Sequence, residues 1–532
     1  MVVCGVTRRL NPLSDQPYDV LIIGGGIVGA CAARDAARRG LSVALIDRGD
    51  FGSGISWNSL KIVHGGLRSL QGLDIRQARQ FVRERRAWLR IAPHLVEPIP
   101  FVVPTRGLGG ESAVLMRAGL ALNDLVSHDR NERISESRRL PHGAALSRAE
   151  LRSLVPDVFD GYSGGVIFHD AQLYSAERLV QSVLDDAARA GAISASYLEA
   201  VAPLRVNGML AGVVAEDRIT GDRLDVRASM IINAAGAGAA AVADLLTGAS
   251  GAAPAMTGIA LNLMLEGDDR TTAFALAAKS DGRMRRLFVV PWRGRTLVGT
   301  AHYECERAPQ SAAELEPYVE RFVREVAAAW PSREITRERV LLVHSGMQPS
   351  PHGAPGTKAH GPPEHLIIDH ARSGVPELLT AIGPKLTTSR AIAERLIDIV
   401  ATRVGRTLEP CDTATEPLVS APSDDVTAVI ASALRDDRAG LPSDVIEHLV
   451  RWYGSGGGYD EILRIVREDP ALGARAEEGA PVIVAQLRYG ARAEGATSAE
   501  DLLERRTELG ATARVGSRAR GVAAREIEGT SG

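Results

Sequence analysis

Cysteine is scarce in this chain of 532 residues: Cys4, Cys31, Cys305 and Cys411 are widely scattered and form no CxxC pair. That excludes a zinc ribbon and a disulfide scaffold, and fits a reducing compartment. Aromatic residues make up only 4%. No apolar run reaches the roughly 18 residues of a membrane-spanning helix. The apolar stretches flanking Arg8 and Arg9 are too short for a secretory signal. Charge of one sign is also missing: 62 basic against 65 acidic residues leave a net −3, with Arg dispersed among Asp and Glu, so no nucleic-acid partner is expected. A cytoplasmic protein is the default reading, with peripheral contact at the inner face of the cell membrane left open. What the chain does have is glycine, 54 residues of it, and a 45% hydrophobic fraction. Both suit a large globular protein of several domains.

The organisation follows from periodicity and punctuation. Residues 1–17 read as a disordered lead-in. Tyr18–Ile23 is short, apolar and β-branched, the pattern of a buried strand. A glycine turn leads into an Ala-rich helix over Ile27–Arg39, stopped by Gly40, and Leu41–Ile46 is the next strand. Ile75–Arg90 and Ser175–Ala190 read as helices, and Met230–Ile232 as a buried strand running into Asn233-Ala234-Ala235-Gly236. From about 255 to 345, the short strands Ile259–Leu265, Leu287–Val290, Thr296–Val298 and Val340–Val343 alternate with polar turns, which predicts an inserted antiparallel sheet. Leu378–Val400 returns to strand, turn and helix. Residues 405–510 predict a helical domain, with helices over 424–436, 442–453, 459–467, 481–494 and 498–507. Residues 511–532 read as a disordered tail. The expectation is thus an α/β protein. A discontinuous Rossmann-like domain spans 18–404, carries the inserted sheet, and is followed by an all-helical C-terminal domain.

Gly24-Gly25-Gly26-Ile27-Val28-Gly29 fits G-x-G-x-x-G. Its setting between a strand and a helix, with Asp47 ending the next strand 18 residues beyond Gly29, makes it a dinucleotide site. Gly24 permits the turn, Gly26 admits a diphosphate to backbone N–H groups, and Gly29 lets the helix lie close to the sheet. The helix N-terminus favours phosphate, and Asp47 is placed to accept from a ribose hydroxyl. The motif alone does not choose between NAD and FAD. The second strand, ending far downstream in Asn233–Gly236, suits FAD.

Residues Asp19–Leu70 resemble the FAD-dependent, quinone-linked glycerol-3-phosphate dehydrogenases. The resemblance rests on Gly24–Ile27, Ala33–Val43 and above all Lys61-Ile62-Val63-His64-Gly65-Gly66-Leu67-Arg68. Pro291-Trp292, Gly299-Thr300, Ser345-Gly346, Lys385-Leu386-Thr387-Thr388 and Asp501–Thr507 extend it over about 18–510. It implies oxidation of a secondary alcohol by hydride transfer to FAD, with a quinone or other acceptor re-oxidising the flavin. The Lys61–Arg68 segment, including His64, Gly65 and Gly66, would line the flavin ring, with Arg68 toward the substrate. Ala235 and Gly236 would lie near the adenosine. Gly383, Pro384, Lys385, Leu386 and Thr387 would close over the ring, where Lys385 and backbone N–H groups favour its electron-rich form.

The chain departs from the family at substrate positions. Ser69 stands where Tyr is usual, Ala260-Leu261-Asn262 where the family has Gly-Ser-His, Gly346-Met347-Gln348-Pro349 where it has Gly-Val-Arg-Pro, and Ile368 where a second arginine is expected. Phosphate recognition relies on bidentate guanidinium groups. A non-phosphorylated alcohol, sugar or amine therefore stays open as substrate, as does a catalytically silent flavin scaffold. Substrate contacts are expected from Arg68, Asn262 and Gln348. His302, His344 and His64 are the candidates to take the hydroxyl proton; for each, the plainer alternative is a structural histidine bonded to backbone. No G-x-S-x-G elbow supports hydrolysis. His352, His360, His365 and His370 lie among Gly and Pro in a loop, and no metal site is expected. Arg83-Glu84-Arg85-Arg86 and Arg505-Arg506 read as solvated helix faces, with contact to anionic lipid as the alternative. Homodimerisation stays open.

Overall fold

The computed structural model describes residues 8, 10–107, 112–156, 161–280, 282–349, 365–383, 385–423, 425–436, 439–512 and 514–529, without the side chains of Arg68 and Gln71. Two sheets organise the N-terminal three-quarters. The first runs in the order Leu366–Asp369, Leu378–Ile382, Arg223–Asn233, Tyr18–Ile23, Val43–Ile46, Ile193–Ala195. Its central pairings are parallel, with Ile22 opposite Leu45 on one side and Ile232 on the other. Residues Leu198–Val206 and Met209–Asp217 add an antiparallel hairpin. The helices Ile27–Arg38, Ala176–Arg189 and Ser389–Val404 cover one face and bury Ala, Leu and Val side chains against it. Parallel strands buried on both faces are apolar throughout, as Val20–Ile23 and Val43–Ile46 are.

The second sheet follows the order Val340–Gln348, Gly258–Glu266, Arg295–Glu304, Arg283–Trp292, Ala273–Ser280, Val96–Thr105, Gly164–Leu173, Ile62–Val63. It includes the expected inserted strands but is wider than residues 255–345. Four segments from before residue 175 join its far part, among them Ala144–Ser147, which pairs with Gly164–Leu173, and the sequence reading does not include Ala273–Ser280. Val96–Thr105 carries three prolines at 98, 100 and 104, which hides a strand from sequence reasoning. One face packs on the helix Ala312–Ala329 through Leu263, Leu287, Phe322 and Trp330. The other face, with Phe101, Met264 and Leu297, packs with the partly buried Leu60 and Leu67, which flank the edge strand Ile62–Val63.

Helices Val426–Arg435, Ser443–Tyr453, Gly458–Glu468 and Val484–Ala493 form the C-terminal unit around Trp452, Ile462 and Tyr489. Two segments expected to be disordered are ordered where they are described, with residues 1–7, 9, 513 and 530–532 outside the described residues. In the lead-in, Asn11–Asp15 is helical, Leu13 is fully buried, and Arg8 pairs with Asp217 at 2.5 Å. In the tail, Ser517–Glu528 is a helix that buries Ala519, Val522 and Ala523 against Leu487 and Leu502, and Glu526 pairs with Arg488 at 2.9 Å. Its Arg- and Gly-rich text masks one small-residue stripe at helical spacing.

Candidate flavin site

The glycine motif forms the turn between the first strand and the helix Ile27–Arg38. Gly24 has φ +108°, and a Cβ there would lie 2.5 Å from the Ala234 carbonyl oxygen. A Cβ at Gly29 would lie 1.9 Å from the Gly24 oxygen, so helix and turn touch backbone to backbone. Gly26, the N-cap, carries no side-chain cap. Ser56 Oγ lies over Gly26 and takes one N-terminal amide, that of Ile27; the glycine turn and the helix N-terminus beside it form an arrangement that fits a diphosphate. Asp47 ties the turn down: its carboxylate accepts from Gly25 N at 2.6 Å and Gly49 N at 2.8 Å. Burial pushes its pKa up to about 6, aided by Asp50 and opposed by those two N–H groups. Ser56, not singled out from the sequence, accepts from Ile27 N at 2.9 Å. On the adjacent strand end, Asn233 donates to Ala239 O at 2.7 Å and accepts from Ala235 N at 3.2 Å, which shapes the turn from half-buried Ala235 to exposed Gly236 beside Gly24.

The segments expected around the flavin ring converge on one helix, Ile75–Ile91. Phe81, Arg85 and Trp88 recur at helical spacing on its buried side. Phe81 lies 4.3 Å from the His64 ring, and Lys385 Nζ sits 4.8 Å from the Phe81 ring centre. Arg85 pairs with Asp170, whose carboxylate accepts from Gly65 N at 2.6 Å. Gly66 leaves room for Phe81, which a Cβ would meet at 2.8 Å. Trp88 Nε1 donates to Thr387 O at 3.0 Å, and His64 N to Thr387 Oγ1 at 3.3 Å. The 64–66 and 385–388 segments are therefore clamped side by side. Gly383 packs tightly over Ile392 and Val28, and Leu386 joins the main core. The Arg68 side chain and Pro384 lie outside the described residues. Lys61, expected beside the flavin, is fully buried as a strut: Nζ donates to Glu177 at 2.7 Å and to Trp57 O at 2.5 Å. Burial lowers its pKa, against the pull of Glu177.

The polar face of the second sheet gathers the remaining candidates. Strand register sets Asn262 opposite His344 on one side and Gly299 on the other. Thr300 Oγ1 donates to Asn262 Oδ1 at 2.8 Å. Gln348 is hydrogen-bonded to His302 Nδ1. His344 is 1% exposed, and its Nδ1 lies 3.2 Å from Ser59 O. A carbonyl can only accept, so Nδ1 carries the proton and Nε2 a lone pair. That Nε2 is buried with no hydrogen-bond partner among the described residues. Burial, helped by Lys61, lowers the His344 pKa to about 4. Residues 55–59 bridge to this face: Ile55 lies under Gly346, Asn58 donates to Ser345 O, and Trp57 meets His344 edge-on at 5.6 Å. The signal for the bridge is the polar, glycine-broken run Gly52–Ser59, which periodicity alone passes over.

Other sequence candidates fall away from this centre. His352 and His360 lie outside the described residues. His365 bonds Arg395 and His370 bonds Thr380. Among the described residues no group of three or more His, Cys, Asp or Glu could hold a metal, and no helix is long and apolar enough to cross a membrane. The reading of the arginine runs as solvated faces holds for Arg83, which is exposed, and is corrected for four other residues. Glu84, Arg85, Arg505 and Arg506 are buried, because each has an opposite charge within the core: Arg390, Asp170 and Asp50.

Comparison with known proteins gives the family to which the chain belongs. The FAD-dependent oxidoreductase family matches residues 19–399, and the C-terminal domain of alpha-glycerophosphate oxidase matches residues 411–528. A glycerol-3-phosphate dehydrogenase of Synechocystis is 30% identical over 525 residues, covering 94% of this chain and 90% of its own. The mitochondrial glycerol-3-phosphate dehydrogenase of Macaca fascicularis is 30% identical over 527 residues, covering 94% and 69%. Among solved structures, the FAD complex of the glycerol-3-phosphate dehydrogenase from Bacillus halodurans superposes with a TM-score of 0.71 at 23% identity, covering 94% of this chain and 87% of that one.

Proposed function

We propose, for a chain that belongs to the FAD-dependent oxidoreductases and within them to the glycerol-3-phosphate dehydrogenases, that its substrate is a small polyol or polyol phosphate oxidised at a secondary hydroxyl. FAD, when bound, supplies the two-electron acceptor. The turn Gly24–Gly29 holds the diphosphate, and Ala235–Gly236 flanks the adenosine. Gly65, Gly66 and the 385–388 segment bracket the ring, where Lys385 favours added negative charge. His344 Nε2 accepts the hydrogen bond of the substrate hydroxyl, while Asn262 and Gln348 orient its neighbours. The observation that carries this reading is the Phe81–Arg85–Trp88 stripe, which fixes the 64–66 and 385–388 segments together. The test is anaerobic mixing of the holoenzyme with polyols and polyol phosphates, followed by flavin bleaching. Bleaching by one of them supports the reading; a flavin that no alcohol bleaches leaves a silent scaffold.

A second reading, a non-phosphorylated alcohol, draws on the Gln348–His302 hydrogen bond. Gln348, which stands where the family has Arg, is bonded to His302, and neither is a fixed cation of the kind a phosphate requires. Saturation by glycerol at lower concentration than glycerol 3-phosphate favours it. For re-oxidation, we propose a quinone reached from a membrane surface. The helix Ala113–Val126 exposes Val114, Leu115 and Leu125 and buries only Leu120 and Val126. It packs beside the helices Leu67–Gln71 and Ile75–Ile91 that flank the flavin segments. Sedimentation with lipid vesicles tests this contact, and Leu115→Glu abolishes it.

A further inference from the structure

The C-terminal domain reaches into the nucleotide site through one buried acid. Asp50 follows Asp47 by three residues and is 1% exposed. Arg506 grips it with two parallel bonds, Nη2 to Oδ1 at 2.7 Å and Nη1 to Oδ2 at 2.8 Å. Arg505 Nε also donates to Asp50 Oδ2. The two arginines are themselves fixed from the C-terminal side: Arg506 Nε donates to Glu494 O at 2.9 Å and Arg505 Nη2 to Asp501 Oδ1 at 2.7 Å. Asp501 also accepts from Tyr197 OH at 2.7 Å, and Tyr197 N donates to Gly49 O at 3.0 Å.

The gripped loop is the one that shapes the cradle. Asp47 holds Gly25 N, Gly52 N donates to Gly25 O at 3.0 Å, and Phe51 lies directly under Gly25. A bidentate guanidinium–carboxylate pair fixes direction as well as distance, and a buried one tolerates little displacement. Moving Asp50 therefore moves Asp47, Phe51 and Gly52 together, and with them the Gly25 backbone that faces the diphosphate.

We infer that Arg505 and Arg506 are positioning residues for FAD: the C-terminal domain completes the nucleotide cradle by locking Asp50, so retention of the cofactor depends on its docking. This goes beyond the substrate reading and stands whichever alcohol is oxidised. Because binding and docking are linked, FAD in turn stabilises the docked C-terminal segment.

The experiment measures FAD release from diluted holoenzyme through the recovery of flavin fluorescence. Arg506→Gln releases FAD at least tenfold faster than the parent, and Arg506→Lys, which keeps charge but not the fork, falls between them. Glu508→Gln, which breaks the buried interdomain pair with Arg293 away from the cradle, changes release less than twofold. Equal release from parent and folded Arg506→Gln overturns the inference, as does equal acceleration by Glu508→Gln. A second measurement needs no variant: hydrogen exchange of the parent chain with and without FAD. Slower exchange at residues 502–507 with FAD, alongside 47–52, supports the lock. Protection confined to the N-terminal domain refutes it.

Discussion

Gly29→Ala is the sharpest perturbation of the cradle, because the obstacle is backbone. The new Cβ would lie 1.9 Å from the Gly24 carbonyl oxygen, where ordinary contact begins near 3.4 Å. Relief requires the helix Ile27–Arg38 to retreat by ~1.5 Å, yet eleven of its twelve residues are buried against neighbours. Overpacking of this kind costs about 3 kcal/mol, a fall of roughly 5 °C in Tm for a domain of this size. The larger effect falls on FAD. Displacing the helix N-terminus disrupts about two charge-assisted hydrogen bonds to phosphate, each worth ~1.5–3 kcal/mol, so affinity drops at least about 100-fold. FAD titration of the purified variant, with a thermal melt, reads both quantities. Gly54→Ala is the control: it lies in the same region, with open space around its Cβ position, and leaves both unchanged. A Gly29→Ala protein that keeps one FAD per chain and the parental Tm would show that the helix does not depend on this close backbone approach.

Three further outcomes follow from buried groups. Lys61→Met leaves Glu177 charged and unpaired in the core, and urea unfolding shows a loss of about 3–5 kcal/mol, part of it restored by adding Glu177→Leu. The His344 pKa is lowered to about 4 in the fold against 6.5 unfolded, so the unfolded chain binds the proton more readily. Its stability contribution is intact above pH 6.5 and falls by about 3 kcal/mol as pH drops to 4, and His344→Gln flattens the slope between those limits by that amount. His94, lowered to about 3 by burial, adds to the slope in both proteins. Ending the chain after Thr512 removes the helix Ser517–Glu528 and the packing of Ala519, Val522 and Ala523, and thermal unfolding reports a loss of about 3 kcal/mol.

The cradle was legible in the sequence because each feature is local: a β-branched strand, three spaced glycines, an Ala-rich helix and an acid at the next strand end. The inserted sheet was legible only where strands follow one another closely. Val96–Thr105 and Gly164–Leu173, which pair from Val96↔Leu173 to Thr105↔Gly164, come from distant text, and prolines obscure the first. The charge clusters misled for a related reason. Arg85, Arg505 and Arg506 look solvated along the chain, and only long-range folding supplies Asp170 and Asp50. Small alanine stripes at helical spacing carried little hydrophobic signal, so the helix near the C-terminus passed for disorder. Within the site, the Gln348–His302 contact links two positions 46 residues apart that spacing could not connect.

The central claim is that the backbone at Gly24–Gly29 grips the diphosphate of a flavin dinucleotide. Titrating the purified full-length protein with FAD, and following absorbance and quenching of flavin fluorescence, tests it most directly. Saturation at one FAD per chain, abolished by Gly29→Ala, is the expected result. A protein that stays colourless and leaves added FAD fully fluorescent would contradict it.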